Sequence, residues 1–256
     1  MCSSRRAAKM AGAMSNGYSA TRRHRGMTGL DLTLTALGAL LAAALILALI
    51  AGKFSFQSSG DPAGAGSGHA ATQVRAVPPF TGVNLAGDNN VVVRVGARQS
   101  VVVHADSNLL GRVTTRVHSD SLVIGTTPGN LTARSPMYLT VTVPSLDRLE
   151  LAGHGNISVT GIDTPRLTVE LPGNGTIEAT GTTERLDVTI GGAGTALLSP
   201  LIARDANAEL SGDGTIMLTA TRSLAASVPG TGTIVYGGDP VHVTRRIAGS
   251  GTITAG

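Results

Sequence analysis

At 256 residues the chain has room for one sizeable domain plus appendages. With 34 glycines, no tryptophan, three phenylalanines and three tyrosines, its 42% of apolar residues suits a thin coil of Val, Leu, Ile and Ala and excludes a broad aromatic core. The net charge of +4 originates at the N-terminus: residues 1–29 carry six basic side chains and no acid, whereas 14 basic residues meet 15 acidic ones from Lys53 onward, so the large domain lacks the basic patch and stacking aromatics of a nucleic-acid partner.

Residues 1–29 read as a disordered basic tail. Its arginines orient the chain and attract anionic lipid. The single cysteine, Cys2, lies in this tail, so the large domain contains no disulfide, as suits an exported fold held by stacked strands. Residues 30–52 are predicted to form one transmembrane α-helix, because Leu32 to Ala51 is a twenty-residue run without a charge, about enough to span a ~30 Å hydrocarbon layer. A cleaved signal peptide has a shorter apolar region with a small-residue site behind it, and a lipoprotein has a cysteine just after the span, which is absent here. Basic residues cluster ahead of the span, placing the N-terminus in the cytoplasm and the rest outside a cell membrane. Residues 53–73, rich in Gly and Ser, read as a flexible tether.

Residues 74–256 are predicted to be all-β. Between 74 and 146 apolar runs such as VVVRV at Val91, SVVVHA at Ser100 and YLTVTV at Tyr138 are broken by turn residues, and are expected to begin and cap a coil as strands buried on both sides or stacked in wider turns. From 147 to 256 one phrase recurs six times: LAGHGNI, LPGNGTI, IGGAGTA, LSGDGTI, VPGTGTI and IAGSGTI. Its second glycines are 20, 19, 20, 18 and 19 residues apart, the fixed period of a solenoid.

Apolar residues around each phrase keep a period of two, which separates a β-solenoid from helical repeats. Leu151, Leu171, Ile190, Leu210, Val228 and Ile247 form one inward column, and Ile157, Ile177, Ala196, Ile216, Ile234 and Ile253 another. The paired glycines Gly153 and Gly155, Gly173 and Gly175, Gly192 and Gly194, Gly212 and Gly214, Gly230 and Gly232, and Gly249 and Gly251 are expected to turn a corner by adopting backbone angles other residues resist. None sits in G-x-G-x-x-G opening a helix, so a dinucleotide loop is excluded; the period and the varied central residue exclude a calcium-binding β-roll.

These motifs, with RAVPPFTGVNLAG from Arg75, DSNLL from Asp106, SLVIG from Ser121 and PSLDRLELAG from Pro144, resemble the putative auto-transporter adhesin, head GIN-domain family from about Val74 to Gly256. That resemblance implies a right-handed parallel β-helix, exported and membrane-attached, with an adhesin-like role and no catalytic residues to transfer.

His104, His118, His154 and His242 show no metal-ligand spacing, and no nucleophile motif is present, so no metal, cofactor or catalytic residue is expected. Glu150 and Glu170 fall in one outward column and are expected to be neighbours, either sharing a cation or neutralised by Arg148 or Arg166. Thr176, Thr195, Thr215 and Thr233 form an outward hydroxyl row beside Leu197, Met217 and Val235. Such an apolar strip with a polar rim is the candidate contact face for a glycan, a cell-wall polymer or an envelope protein. Its alternatives are ordinary strand propensity or a face covered by the N-terminal segment. The chain stops inside its sixth phrase, leaving an open turn that predicts end-to-end self-association, with Arg245 and Arg246 as deterrents. The competing functions are a polysaccharide-acting enzyme and a structural or assembly element of the envelope.

Overall fold

The computed structural model describes residues 64–256 apart from residue 97. The tail 1–29, the expected span 30–52 and residues 53–63 of the expected tether lie outside the described residues. Among the described residues no helix is long and apolar enough to cross a membrane.

The described residues form fifteen strands. The first eight are β1 (Ala70–Val74), β2 (Gly82–Leu85), β3 (Asn90–Val95), β4 (Ser100–Asp106), β5 (Val113–His118), β6 (Ser121–Thr126), β7 (Tyr138–Val143) and β8 (Arg148–Leu151). Four long strands follow, β9 (Asn156–Leu171), β10 (Thr176–Ile190), β11 (Thr195–Leu210) and β12 (Thr215–Val228), and then β13 (Thr233–Gly237), β14 (His242–Ile247) and β15 (Thr252–Ala255).

Parallel stacking dominates, and it builds two walls of a β-solenoid. The first wall runs β1-β4-β7-β3-β9-β10-β11-β12-β13-β15. The second runs β5-β6-β2-β8 and then through the C-terminal portions of β9, β10, β11 and β12 to β14. Each long strand contributes to both walls because it bends midway. At that bend Gly161 (φ 80) and Gly181 (φ 135) adopt left-handed angles, and the β9–β10 register shifts between Ala179 and Gly181.

The expected inward columns are the core. Leu151, Leu171, Ile190, Leu210 and Val228 are fully buried, as are Ile177, Ala196, Ile216 and Ile234, which lie in file on adjacent strands. A buried Val, Leu or Ile contributes roughly 1.5–3 kcal/mol, and it does so here only by lying against the turn before and after it. The last turn departs from the pattern: Ile247 and Val243, on β14 at the end of the second wall among the described residues, are 50% and 38% exposed.

The twelve glycines are required for a reason other than the expected one. None of them has a positive φ. Instead, a Cβ at each would lie under 3.0 Å from a carbonyl oxygen of the preceding turn: Gly173 meets Gly153, Gly192 meets Gly173, Gly212 meets Gly192 and Gly230 meets Gly212. The corners stack so closely that no side chain fits between them.

The region 74–146 is more regular than expected. β3 pairs with β9 and β2 with β8, so the N-terminal strands are true turns of the coil. Their burial alternates, with Val91 and Val93 buried and Val92 half-exposed, rather than being two-sided. A seventh corner also appears: Gly87 and Asn89 present their carbonyls to Gly153 and Gly155 as each glycine pair does to the next. LAGDNN at Leu85 matches LAGHGN at Leu151 in four of six positions, with Asn89 in the place of the second glycine.

Residues 64–73, expected within the tether, are built into the solenoid. β1 is antiparallel to β4; the fully buried carboxylate of Asp106 holds Gly68, the amide of Asn108 holds Ala65 and Ser67, and the backbone of Thr132 holds Gly64 and Gly66. Asp106 accepts from the backbone N–H of Gly68 (2.9 Å), Arg134 (2.7 Å) and Ser135 (3.2 Å) and from Ser135 Oγ (2.8 Å). Burial pushes its pKa up, but these four donors outweigh that and hold it below the ordinary aspartate value.

Candidate functional site

The alternation that buries Ile177 and its column points the intervening residues of the first wall outward. The register then aligns Asn156, Thr176, Thr195, Thr215, Thr233 and Thr252 on successive strands. The N-terminal strands extend the same row through Asn90, Tyr138, His104 and Thr72. One row of hydrogen-bonding side chains therefore crosses ten strands, about 43 Å at a strand spacing of ~4.8 Å. Its members bond to each other in places: Asn156 Nδ2 donates to Asn90 Oδ1 (2.9 Å), Thr252 Oγ1 to Thr233 Oγ1 (3.1 Å), and the His104 and Tyr138 rings stack with centroids 4.3 Å apart.

Beside this row lies the apolar strip. Glu178, Leu197, Met217, Val235 and Thr254 are in register, with Met217 37% exposed and Leu197 and Val235 half-buried. All seven residues of the expected face, Thr176, Thr195, Leu197, Thr215, Met217, Thr233 and Val235, thus lie together on one wall. Toward the N-terminal end the same file runs through Val92, Thr140, Val102 and Val74, the last 72% exposed. Among the described residues the N-terminal segment lengthens this wall rather than covering it. The signal that locates the added strands in sequence is the LAGDNN phrase, which fixes Asn90 as the counterpart of Asn156.

The two glutamates are neighbours across the β8–β9 pairing on the second wall. Arg148 Nη2 reaches both carboxylate oxygens of Glu170, at 2.8 and 2.9 Å, so that carboxylate is already neutralised. Among the described residues no group of three or more His, Cys, Asp or Glu side chains is placed to hold a metal ion. His154 Nδ1 lies 3.3 Å from Asp88 Oδ1 at the solvent-exposed corner, and His104 is engaged with Tyr138.

Residues of the N-terminal motifs contribute to the core of the solenoid. Phe80 closes the core and is 4% exposed, with its N–H donating to Gln99 Oε1 (3.2 Å). Asp106, Leu109 and Leu146 are likewise buried.

No curated relative matches the chain. A crystal structure of a putative adhesin from Bacteroides fragilis NCTC 9343 shares the fold, with TM-score 0.61 and 22% identity over 75% of this chain and 99% of that one. A putative adhesin from Parabacteroides distasonis ATCC 8503 aligns with TM-score 0.45 and 19% identity over 75% of this chain and 99% of its own. A putative lipid binding protein from the same organism aligns with TM-score 0.44 and 21% identity over 75% and 98%. The family model "Putative auto-transporter adhesin, head GIN domain" matches residues 79–240 of the 256, from β2 to β13, and the chain belongs to that family.

Proposed function

We propose that the protein is an exported, non-catalytic, adhesin-like binding head, held at the cell membrane by an N-terminal single-pass helix with its N-terminus in the cytoplasm. Membership of the adhesin head family supports the binding role, and the twenty uncharged residues from Leu32 to Ala51 support the anchor. The solenoid is taken as right-handed, the hand that parallel β crossovers adopt in nearly all folds. The observation that carries the reading is the register of the first wall, where a polar row across ten strands runs beside an apolar strip of Leu197, Met217 and Val235. Long, repetitive and nearly uncharged, this surface suits an extended polymer of the cell wall or another surface glycan. End-to-end association through the exposed Val243 and Ile247 is the second part of the proposal, with Arg245 as its brake.

The test is binding of the full-length chain to purified cell-wall sacculi, compared with the triple variant Leu197→Ser, Met217→Ser and Val235→Ser. Loss of about three partly buried apolar groups is expected to weaken binding at least tenfold. The thermal midpoint is expected to hold, since the substituted side chains point away from the core. Unchanged binding by the triple variant removes the strip as the contact.

A further inference from the structure

A different feature lies on the second wall, near the C-terminal end. Two outward rows run there in register: Arg185, Asp205, Ser223 and His242 in one, and Asp187, Asn207, Ala225 and Thr244 in the other. Between them is a cleft of about 510 Å³, flanked by Arg185, Asp205, Asn207, Arg222, His242 and Thr244. Ser223 and Ala225 are short between Asp205 and Asn207 on one neighbouring strand and His242 and Thr244 on the other. Leu224 and Ala206, buried in the core, lie beneath it.

The charges in the cleft are already paired. Arg222 Nε donates to Asp205 Oδ1 at 2.7 Å, Arg222 Nη2 donates to Oδ2, and Ser223 Oγ donates to Oδ1 at 2.5 Å. The bonds from Arg222 and then Ser223 hold the Asp205 carboxyl down at about 2, and the Arg222 pKa is raised in turn. Arg185 Nε reaches Asp187 Oδ2 at 3.2 Å. An anion entering the cleft would meet two carboxylates, and a metal ion two guanidiniums. What the cleft retains is a set of donors and acceptors beside the methyl group of Ala225. This is the pattern that recognises vicinal hydroxyls, each accepting from a guanidinium or amide N–H and donating to a carboxylate or amide oxygen.

We propose that this cleft binds a neutral sugar of one or two rings, whose hydroxyls hydrogen-bond Asp205, Arg222 and Asn207 and whose C–H face lies on Ala225. The volume falls within the ~300–1,000 Å³ usual for small-molecule sites. The site is on the opposite wall from the strip of Leu197, Met217 and Val235, and does not rest on the function read from that strip.

The experiment is saturation-transfer NMR on the full-length protein, with titrations of methyl α-glucoside, cellobiose and N,N′-diacetylchitobiose, and with glucose 6-phosphate as the charged counterpart. At least one neutral probe is expected to bind with an affinity insensitive to added NaCl. Asn207→Ala is expected to weaken it about tenfold, the worth of one lost pair of hydrogen bonds. Ala225→Leu, which removes no hydrogen bond but fills the cleft, is expected to abolish it with an unchanged thermal midpoint. The strip triple variant is expected to bind normally. Three results overturn the proposal: no neutral probe binds, glucose 6-phosphate binds better and in a salt-dependent way, or Ala225→Leu leaves binding intact while the strip variant loses it.

Discussion

Two adjacent glycines, Gly191 and Gly192, separate close stacking from backbone freedom as the reason for the glycine ladder. A Cβ on Gly191 has nothing within 4 Å and φ is not positive, so Gly191→Ala only restricts the unfolded chain and is expected to stabilise by about 0.4–1 kcal/mol. A Cβ on Gly192 meets the Gly173 and Pro172 carbonyl oxygens, both backbone atoms that cannot rotate away. Relief requires the two turns to part. Overpacking of this kind costs about 1–3 kcal/mol. Parting the turns also stretches the bonds from Gly191 N and Gly192 N to Leu171 O, now 3.2 and 3.3 Å, at about 1 kcal/mol each. Gly192→Ala is therefore expected to destabilise by about 3–5 kcal/mol in total. With an m-value of about 2 kcal/mol/M in urea, the unfolding midpoint followed by circular dichroism falls by about 1.5–2.5 M for Gly192→Ala and rises by up to about 0.5 M for Gly191→Ala. Equal midpoints for the two variants would refute the stacking account.

Asp106→Asn places an NH₂ group among four donors and is expected to cost about 2–3 kcal/mol, measured by urea denaturation near neutral pH. Because the folded-state pKa of Asp106 is depressed, its contribution is present above the unfolded value of about 3.9 and is lost as pH falls through the folded pKa. The wild type should thus lose stability below about pH 4 and Asp106→Asn should lose less; parallel pH profiles would contradict this. On β14 Arg245 stands in the column of Ala226, with its guanidinium 5.0 Å from the Tyr236 ring centroid. Arg245→Val, which continues an apolar file with exposed Val243 and Ile247, is expected to give concentration-dependent association in light scattering. A monomer at every concentration would show that Arg245 is not the brake.

The solenoid was legible in the sequence because its signals are local and repeated. A period near 19 sets the turn, alternation sets the inward face, and an error in one turn is corrected by the next. For the same reason Thr176, Thr195, Leu197, Thr215, Met217, Thr233 and Val235 are legible as one face from their spacing alone. The β1–β4 pairing was not legible, since it brings Ala70 to Asp106 with no repeat to announce it. Nor was the clamp on Asp106, whose donors come from residues 68, 134 and 135.

By itself the sequence determined the coil, its inward columns and the outward file, because each depends only on spacing along the chain. Tertiary structure alone decided why the glycines are needed, where the first turn lies and which charges are paired. A carbonyl beneath a Cβ, or a guanidinium on a carboxylate one strand away, depends on how closely two turns approach, and that distance is set by stacking.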